Sequence, residues 1–198
     1  MTKVCVVDFG AGNMFSIKKA LERLGAQVSV SSAGACIEQA DAVVLPGDGN
    51  FGGAAIALAP AKDKLLEAAR EKPFLGICAG MQLLFEKSEE SPGTAGLGLF
   101  KGALARFPGS VKCPHMGWNQ LVEPAGVLFD GFFGGEYAYF IHSFRIEESE
   151  FASAYCDYGG KFMAALERKN IFATQFHPEK IGIAGRMVLE NFLKFCRK

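Results

Sequence analysis

The sequence predicts an α/β fold on a mostly parallel central sheet, with antiparallel additions in its C-terminal half. Three observations carry this. Apolar runs of strand length alternate with stretches of helical spacing through the first half of the chain. Three of those runs break into glycine-bearing turns, after Phe9, Leu45 and Ile77. From Gly98 to Gln175 the pattern changes to short strands.

The elements follow in order. Val4 to Phe9 reads as a buried strand, and Asp8-Phe9-Gly10-Ala11-Gly12-Asn13 as the turn at its end. A helix runs to about Leu24, where Gly25 stops it. The pair Gly10 and Gly12 invites a dinucleotide-binding reading, but the third small residue of that fingerprint would fall at Phe15. Gln27 to Val30 is a second strand, and Ala35 to Ala40 a short amphipathic stretch. Ala42 to Leu45 is a third strand, ending in the loop Pro46-Gly47-Asp48-Gly49-Asn50-Phe51-Gly52-Gly53. So much glycine means close backbone approach or positive φ. A helix over about Ala61 to Arg70 leads to a fourth strand that opens at Pro73, and Ser88 to Leu97 reads as a surface loop. Short strands follow around Leu99–Phe107, Met116–Val122, Tyr137–Ile146, Phe151–Tyr158, Phe162–Glu167 and Ile171–Phe176, with Lys169-Asn170 as a hairpin turn. From Ile183 an apolar stripe through Met187, Val188, Phe192 and Phe195 predicts a covering helix.

Composition narrows the function classes. The 198 residues suit a single domain over 1–198, and the formal net charge is zero, with no basic stripe for nucleic acid. No apolar run reaches the length of a membrane span, and Met1-Thr2-Lys3 leads straight into a strand without a signal peptide, so a cytoplasmic location is expected. Six cysteines lack C-x-x-C spacing. Cys5, Cys156 and Cys196 read as small buried hydrophobes, and Cys113-Pro114-His115 has no second pair to complete a metal site.

Chemistry is concentrated at Gly76-Ile77-Cys78-Ala79-Gly80. This is the thiol version of a nucleophile elbow, where a strand turns into a helix with almost no loop. The glycines admit the strained, crowded turn, and Cys78 stands at a helix N-terminus, which favours thiolate. A thiol nucleophile needs a base, and the base an orienter. Of His115, His142 and His177, only His177 has a carboxylate two residues on, Glu179. In extended backbone i and i+2 share a side, so Glu179 can hold Nδ1 of His177 and leave Nε2 for Cys78. The glycine loop at Gly47–Gly49 can aim backbone N–H groups at an oxyanion.

Gly76-Ile77-Cys78-Ala79-Gly80-Met81-Gln82 together with Gln175-Phe176-His177-Pro178-Glu179 resembles the class I (triad) glutamine amidotransferases, a family with a three-layer flavodoxin-like fold. The Asp8–Asn13 start, Pro46-Gly47-Asp48-Gly49, Pro114-His115-Met116-Gly117-Trp118-Asn119 and Tyr139-Phe140-Ile141-His142-Ser143 resemble one branch of it, the glutaminase subunits of imidazole glycerol phosphate synthase.

The resemblance implies hydrolysis of L-glutamine by Cys78, His177 and Glu179, with no metal and no organic cofactor. Gly47, Asp48, Gly49 and Ala79 would supply the oxyanion N–H groups. Gln82, Gly49 and the backbone of His142, Ser143 and Phe144 would hold the substrate. The implied partner is a (β/α)8-barrel cyclase in a heterodimer, receiving ammonia through an internal passage. Asn13, Trp118, Asn119, Tyr139 and Lys180 would lie toward it, although core packing would also suit Trp118. Against the family pattern, Asp48 replaces a small apolar residue, Ala79 a leucine, and Phe9 and Phe144 tyrosines. Asp48 is expected to point outward and to help hold the loop inactive without the partner. Two other readings stay open here: a related subunit feeding another acceptor, such as a surface-sugar intermediate, and a free-standing cysteine amide hydrolase. A pseudoenzyme is disfavoured by the intact Cys78, His177 and Glu179.

Overall fold

The structure is a computed structural model describing residues 1–10 and 12–197; Ala11, in the turn after the first strand, lies outside the described residues. Five parallel strands form its centre: β1 (Lys3–Val7), β2 (Gln27–Ser31), β3 (Ala42–Leu45), β4 (Phe74–Ile77) and, from the far end of the chain, β12 (Ile171–Thr174). Their order is β2-β1-β3-β4-β12, the doubly wound arrangement of flavodoxin-like sheets. Two antiparallel strands, β10 (Ala152–Asp157) and β11 (Lys161–Arg168), extend the sheet beyond β12.

The central strands read as unbroken apolar runs because helices cover both faces. Side chains alternate between the two cores. Cys5, Val7, Val43 and Leu45 pack on one side with α2 (Gly34–Gln39), α3 (Phe51–Leu58) and α4 (Lys62–Glu71). Val4, Val6 and Val44 pack on the other with α1 (Met14–Arg23) and α6 (Ile183–Phe195), through Ile17, Leu21, Val188 and Phe192.

Several expectations are corrected. Gly52 and Gly53 are not loop residues but the first turn of α3, which starts at Phe51. Asn50 caps this helix by accepting from the Gly53 N–H at 2.7 Å. The helix after Cys78, α5 (Ala79–Gln82), is one turn long, so its dipole is weaker than a full helix would supply. The chain then forms β5 (Phe85–Ser88), so the Ser88–Leu97 loop begins from a strand. The expected strand Tyr137–Ile146 breaks at Ser143 into β8 (Tyr137–His142) and β9 (Phe144–Arg145). The strands between β4 and β10 do not extend the main sheet. β5, β6 (Phe100–Arg106) and β9 form a small mixed sheet, and β7 (His115–Gln120) pairs antiparallel with β8 as a ribbon. No described helix is long and apolar enough to cross a membrane.

Candidate active site

The site forms at the carboxyl ends of β3, β4 and β12, where doubly wound sheets bind ligands. Cys78 follows β4 directly and adopts φ 53°, ψ −110°, a strained backbone for a residue with a side chain. Its N–H donates to the Thr174 carbonyl at 2.7 Å, stitching the elbow to the end of β12. The flanking glycines are required by contact. A Cβ on Gly80 would stand 1.7 Å from the Leu45 carbonyl oxygen, and one on Gly76 2.9 Å from the Gly80 carbonyl oxygen.

His177 follows β12 at the same edge. Its Nδ1 and Glu179 Oε1 are 2.9 Å apart, and both side chains are almost wholly buried. Nε2 is buried and has no hydrogen-bond partner of ordinary geometry among the described residues. The contact with Cys78 is therefore looser than a hydrogen bond, as catalytic pairs without substrate often are. Burial opposes charge on the ring. The neighbouring Cys78 sulfur, and the Glu179 carboxylate hydrogen-bonded to Nδ1, outweigh it and raise the pKa of His177 to about 9. Other thiols lack such partners: burial first of all pushes Cys156 and Cys196 up to about 12, and Cys5 upward as well.

Beside Cys78 opens a cavity of about 190 Å³. It brings together most of the substrate-binding residues expected from sequence: Asp48, Gly49, Gln82, His142, Ser143 and Phe144. Pro114 and Ile141 also line it, as do Asn50 and Glu90. A larger cleft of about 370 Å³ between β1, β2 and α2 contains no histidine or carboxylate and lies apart from this chemistry.

The loop after β3 is closed onto the elbow. The Ala79 N–H, the donor next to the nucleophile, is bonded to the Gly47 carbonyl at 3.3 Å. A Cβ on Gly47 would lie 2.9 Å from both Ala79 Cβ and Phe9 Cζ, so glycine permits this contact. Gly12, in the turn after β1, lies close to the same peptide: a Cβ there would stand 3.3 Å from Gly47 Cα. Asp48 is exposed at the cavity rim.

Gln82 is buried and faces inward. Its Nε2 donates to the Phe144 carbonyl at 3.0 Å and to Gln175 Oε1 at 3.1 Å. His142 is tied on one side to the Phe144 carbonyl at 2.9 Å and on the other to His115 at 3.2 Å. Burial pushes His142 down to about 3 and His115 down to about 4, so both rings are neutral near pH 7.

The expected partner-facing residues divide. Trp118 is 56% exposed, against the core-packing alternative. Its ring meets Tyr139 edge-on at 5.8 Å, and Lys180 Nζ stands 5.7 Å from the Tyr139 ring. Asn13 is exposed but caps α1, accepting from the Ser16 N–H. Asn119 instead points back to the fold and donates to the Asp157 carbonyl at 3.1 Å.

Two polar residues at the site were not singled out from sequence. Glu90 accepts from the Phe51 N–H at 2.7 Å and lines the cavity; it lay in a stretch read only as surface loop. Gln175 is 1% exposed, and its Nε2 stands 3.7 Å from the Cys78 sulfur. Its signal was available: it is two residues before His177 and so shares its side of an extended chain. Among the described residues no group of three or more His, Cys, Asp or Glu could hold a metal ion.

A strained cysteine at a sheet edge, a neighbouring histidine held by a carboxylate, and backbone donors beside them define a cysteine-nucleophile hydrolase on an α/β sheet. The glutamine amidotransferase class-I family model matches residues 5–195, and the chain belongs to that family. It is 46% identical to imidazole glycerol phosphate synthase subunit HisH of Methanothermobacter thermautotrophicus, covering 98% of this chain and 99% of the relative. To the same subunit of Pyrococcus furiosus it is 45% identical, covering 97% and 98%. In fold it is similar to the structure of PurLQS from Thermotoga maritima, with a TM-score of 0.77 at 24% identity, over 98% of this chain and 99% of that one.

Proposed function

We propose that residues 1–198 act as one glutaminase domain, the ammonia-producing subunit of an imidazole glycerol phosphate synthase. The near-full-length likeness to HisH subunits supports this assignment. The observation carrying the chemistry is the buried His177–Glu179 pair at 2.9 Å beside the strained Cys78.

Cys78 passes its proton to His177, and its sulfur attacks the side-chain amide carbon of glutamine. A C–S bond forms as the carbonyl π pair moves to oxygen. When the tetrahedral intermediate collapses, the C–N bond breaks and His177 protonates the departing nitrogen, releasing ammonia. Water then attacks the γ-glutamyl thioester, giving a proton to His177, and the C–S bond breaks to release glutamate. Glu179 holds the ring in orientation and supports its charge. Glu90, with one oxygen on the Phe51 N–H, offers the cavity a carboxylate for the substrate ammonium.

The closed loop must open for this. Turning the Gly47–Asp48 peptide removes the Gly47 carbonyl from the Ala79 N–H. In a trans peptide the C=O and N–H point oppositely, so the same turn brings the Asp48 N–H toward the site. The exposed face of β7–β8, carrying Met116, Trp118 and Tyr137, is where a (β/α)8-barrel cyclase would dock and stabilise the open loop.

Glutamate release is the test, measured for the chain alone and with the cyclase and its phosphoribulosyl-formimino substrate. A large rise only in the complete mixture is expected. Strong release indifferent to the cyclase would overturn the coupled reading in favour of a free-standing hydrolase.

A further inference from the structure

Inward from the cavity, one line of hydrogen bonds joins the β7–β8 ribbon to the nucleophile. Its polarity is fixed by a single atom. The Phe144 carbonyl oxygen can only accept. Both groups that touch it must therefore donate: Gln82 Nε2 at 3.0 Å and His142 Nδ1 at 2.9 Å.

Each assignment forces the next. With its proton on Nδ1, neutral His142 presents a bare Nε2. The His115 Nδ1 facing it at 3.2 Å must then carry a proton. On the other side, Gln82 Nε2 also meets the Gln175 amide at 3.1 Å, so the Gln175 atom there is the oxygen. The remaining end of that amide is its NH2 group, and it faces Cys78 Sγ at 3.7 Å. Gln175 thus cannot turn to present its oxygen to the sulfur without losing its bond to Gln82. The thiol form has its own acceptor, the Ile141 carbonyl, also at 3.7 Å.

We propose that Gln175 is a third group on the reacting sulfur: its amide NH2, locked by Gln82 and the Phe144 carbonyl, holds Sγ in the attack position and stabilises it once its proton has gone to His177. This rests on Cys78 being the nucleophile, as proposed above. Gln175 and His177 both project from the segment after β12, and Cys78 is bonded to that strand's last residue, so the three move as a unit. A hydrogen bond to a charged acceptor is about twice as strong as one between neutral groups, so the donor favours the deprotonated sulfur over the thiol. The titratable groups around the sulfur are His177, with Glu179 on its far side, His142 and, at the cavity rim, Asp48 and Glu90; Gln175→Met adds no titratable group to them, whereas Gln175→Glu adds a carboxylate.

The test is the rate of alkylation of Cys78 by iodoacetamide across pH, with glutamine turnover measured in parallel in the presence of the cyclase. Gln175→Met keeps the volume and removes the donor. Gln175→Glu keeps the shape and puts oxygen against sulfur. Both are expected to lower kcat about tenfold to a hundredfold, to change KM less than about threefold, and to move the half-maximal alkylation to higher pH. Unchanged pH profile and kcat in a folded Gln175→Met chain would overturn the proposal while leaving Cys78 as nucleophile. Alkylation of Cys78 that leaves wild-type turnover intact would overturn both. If the variants do not fold, the wild-type chain decides through the side-chain amide resonances of Gln175. They should shift on alkylation of Cys78 and titrate with the alkylation rate; resonances indifferent to both would overturn the proposal.

Discussion

The N–H of Ala79 donates to the carbonyl of Gly47 at 3.3 Å, so the backbone group that the proposed mechanism assigns to the oxyanion is already occupied. On the proposed mechanism, this contact would hold the catalytic pair idle. The donor is present and correctly placed behind the nucleophile, but an acceptor from the neighbouring loop satisfies it. Asp48, the next residue, adds a carboxylate at the cavity rim where negative charge would develop. Replacing Asp48 by Val removes that charge without touching the peptide. Glutamate release by the chain alone is expected to rise about threefold to tenfold. A rate equal to wild type would remove Asp48 from any part in holding the loop inactive.

On the proposed mechanism, the raised pKa of His177 sets the alkaline side of the pH profile. Its ordinary value is about 6.5, and in the fold it stands at about 9. On the proposed mechanism the ring holds the proton taken from Cys78, and that charged state persists through neutral pH and is lost as pH rises through about 9. In the cyclase-bound enzyme kcat/KM should fall above that pH. Glu179→Gln keeps a hydrogen-bond acceptor but removes one of the charges that support the ring. The alkaline limb should move to lower pH, and kcat should fall about 10²-fold to 10⁴-fold. A limb that stays in place would mean that Glu179 does not support the charge on His177.

Gly80 sets the geometry of the elbow. The 1.7 Å between its missing Cβ and the Leu45 carbonyl cannot be relieved by a rotamer change, because both partners are backbone. Gly80→Ala should destabilise the chain by more than about 3 kcal/mol, read from denaturant unfolding. Gly109→Ala, where a Cβ would meet nothing within 4 Å, is the control and should be close to neutral. Equal stabilities would show that the β3–β4 packing relaxes around a methyl group.

These contacts mark how far the sequence could be read. The elbow glycines, the strained Cys78 and the His177–Glu179 pair are local features with fixed spacing, and the structure places them as that spacing requires. The parallel strands are legible because burial on both faces leaves unbroken apolar runs. α3 was not legible, because Gly52 and Gly53 read as loop and only Asn50 marks the helix start. The break at Ser143 was hidden inside one apolar run, since separate sheets claim its two halves. Glu90 and Gln175 act across the fold: Gln175 lies 97 residues from the sulfur it faces. No local pattern announces such a contact; only the i, i+2 relation to His177 hints at it.

The paired histidines make a last, separate prediction about acid stability. His115 stacks on Tyr158 with ring centroids 4.0 Å apart and on Phe140 at 4.9 Å, and it donates to His142 within the same aromatic cluster. Burial holds His115 at about 4 and His142 at about 3, below the ordinary 6.5. Between those values the unfolded chain binds protons that the folded chain does not. The contribution of the pair is therefore complete above about pH 6.5 and is lost as pH falls toward 4 and then 3. The melting temperature should decline across that range. His115→Phe removes one titrating ring but leaves the His142 Nε2 without its donor. At pH 7 it should cost about 1–3 kcal/mol, yet its melting temperature should fall less steeply between pH 6.5 and 4. Parallel wild-type and variant curves would show that the acid sensitivity of the fold arises elsewhere.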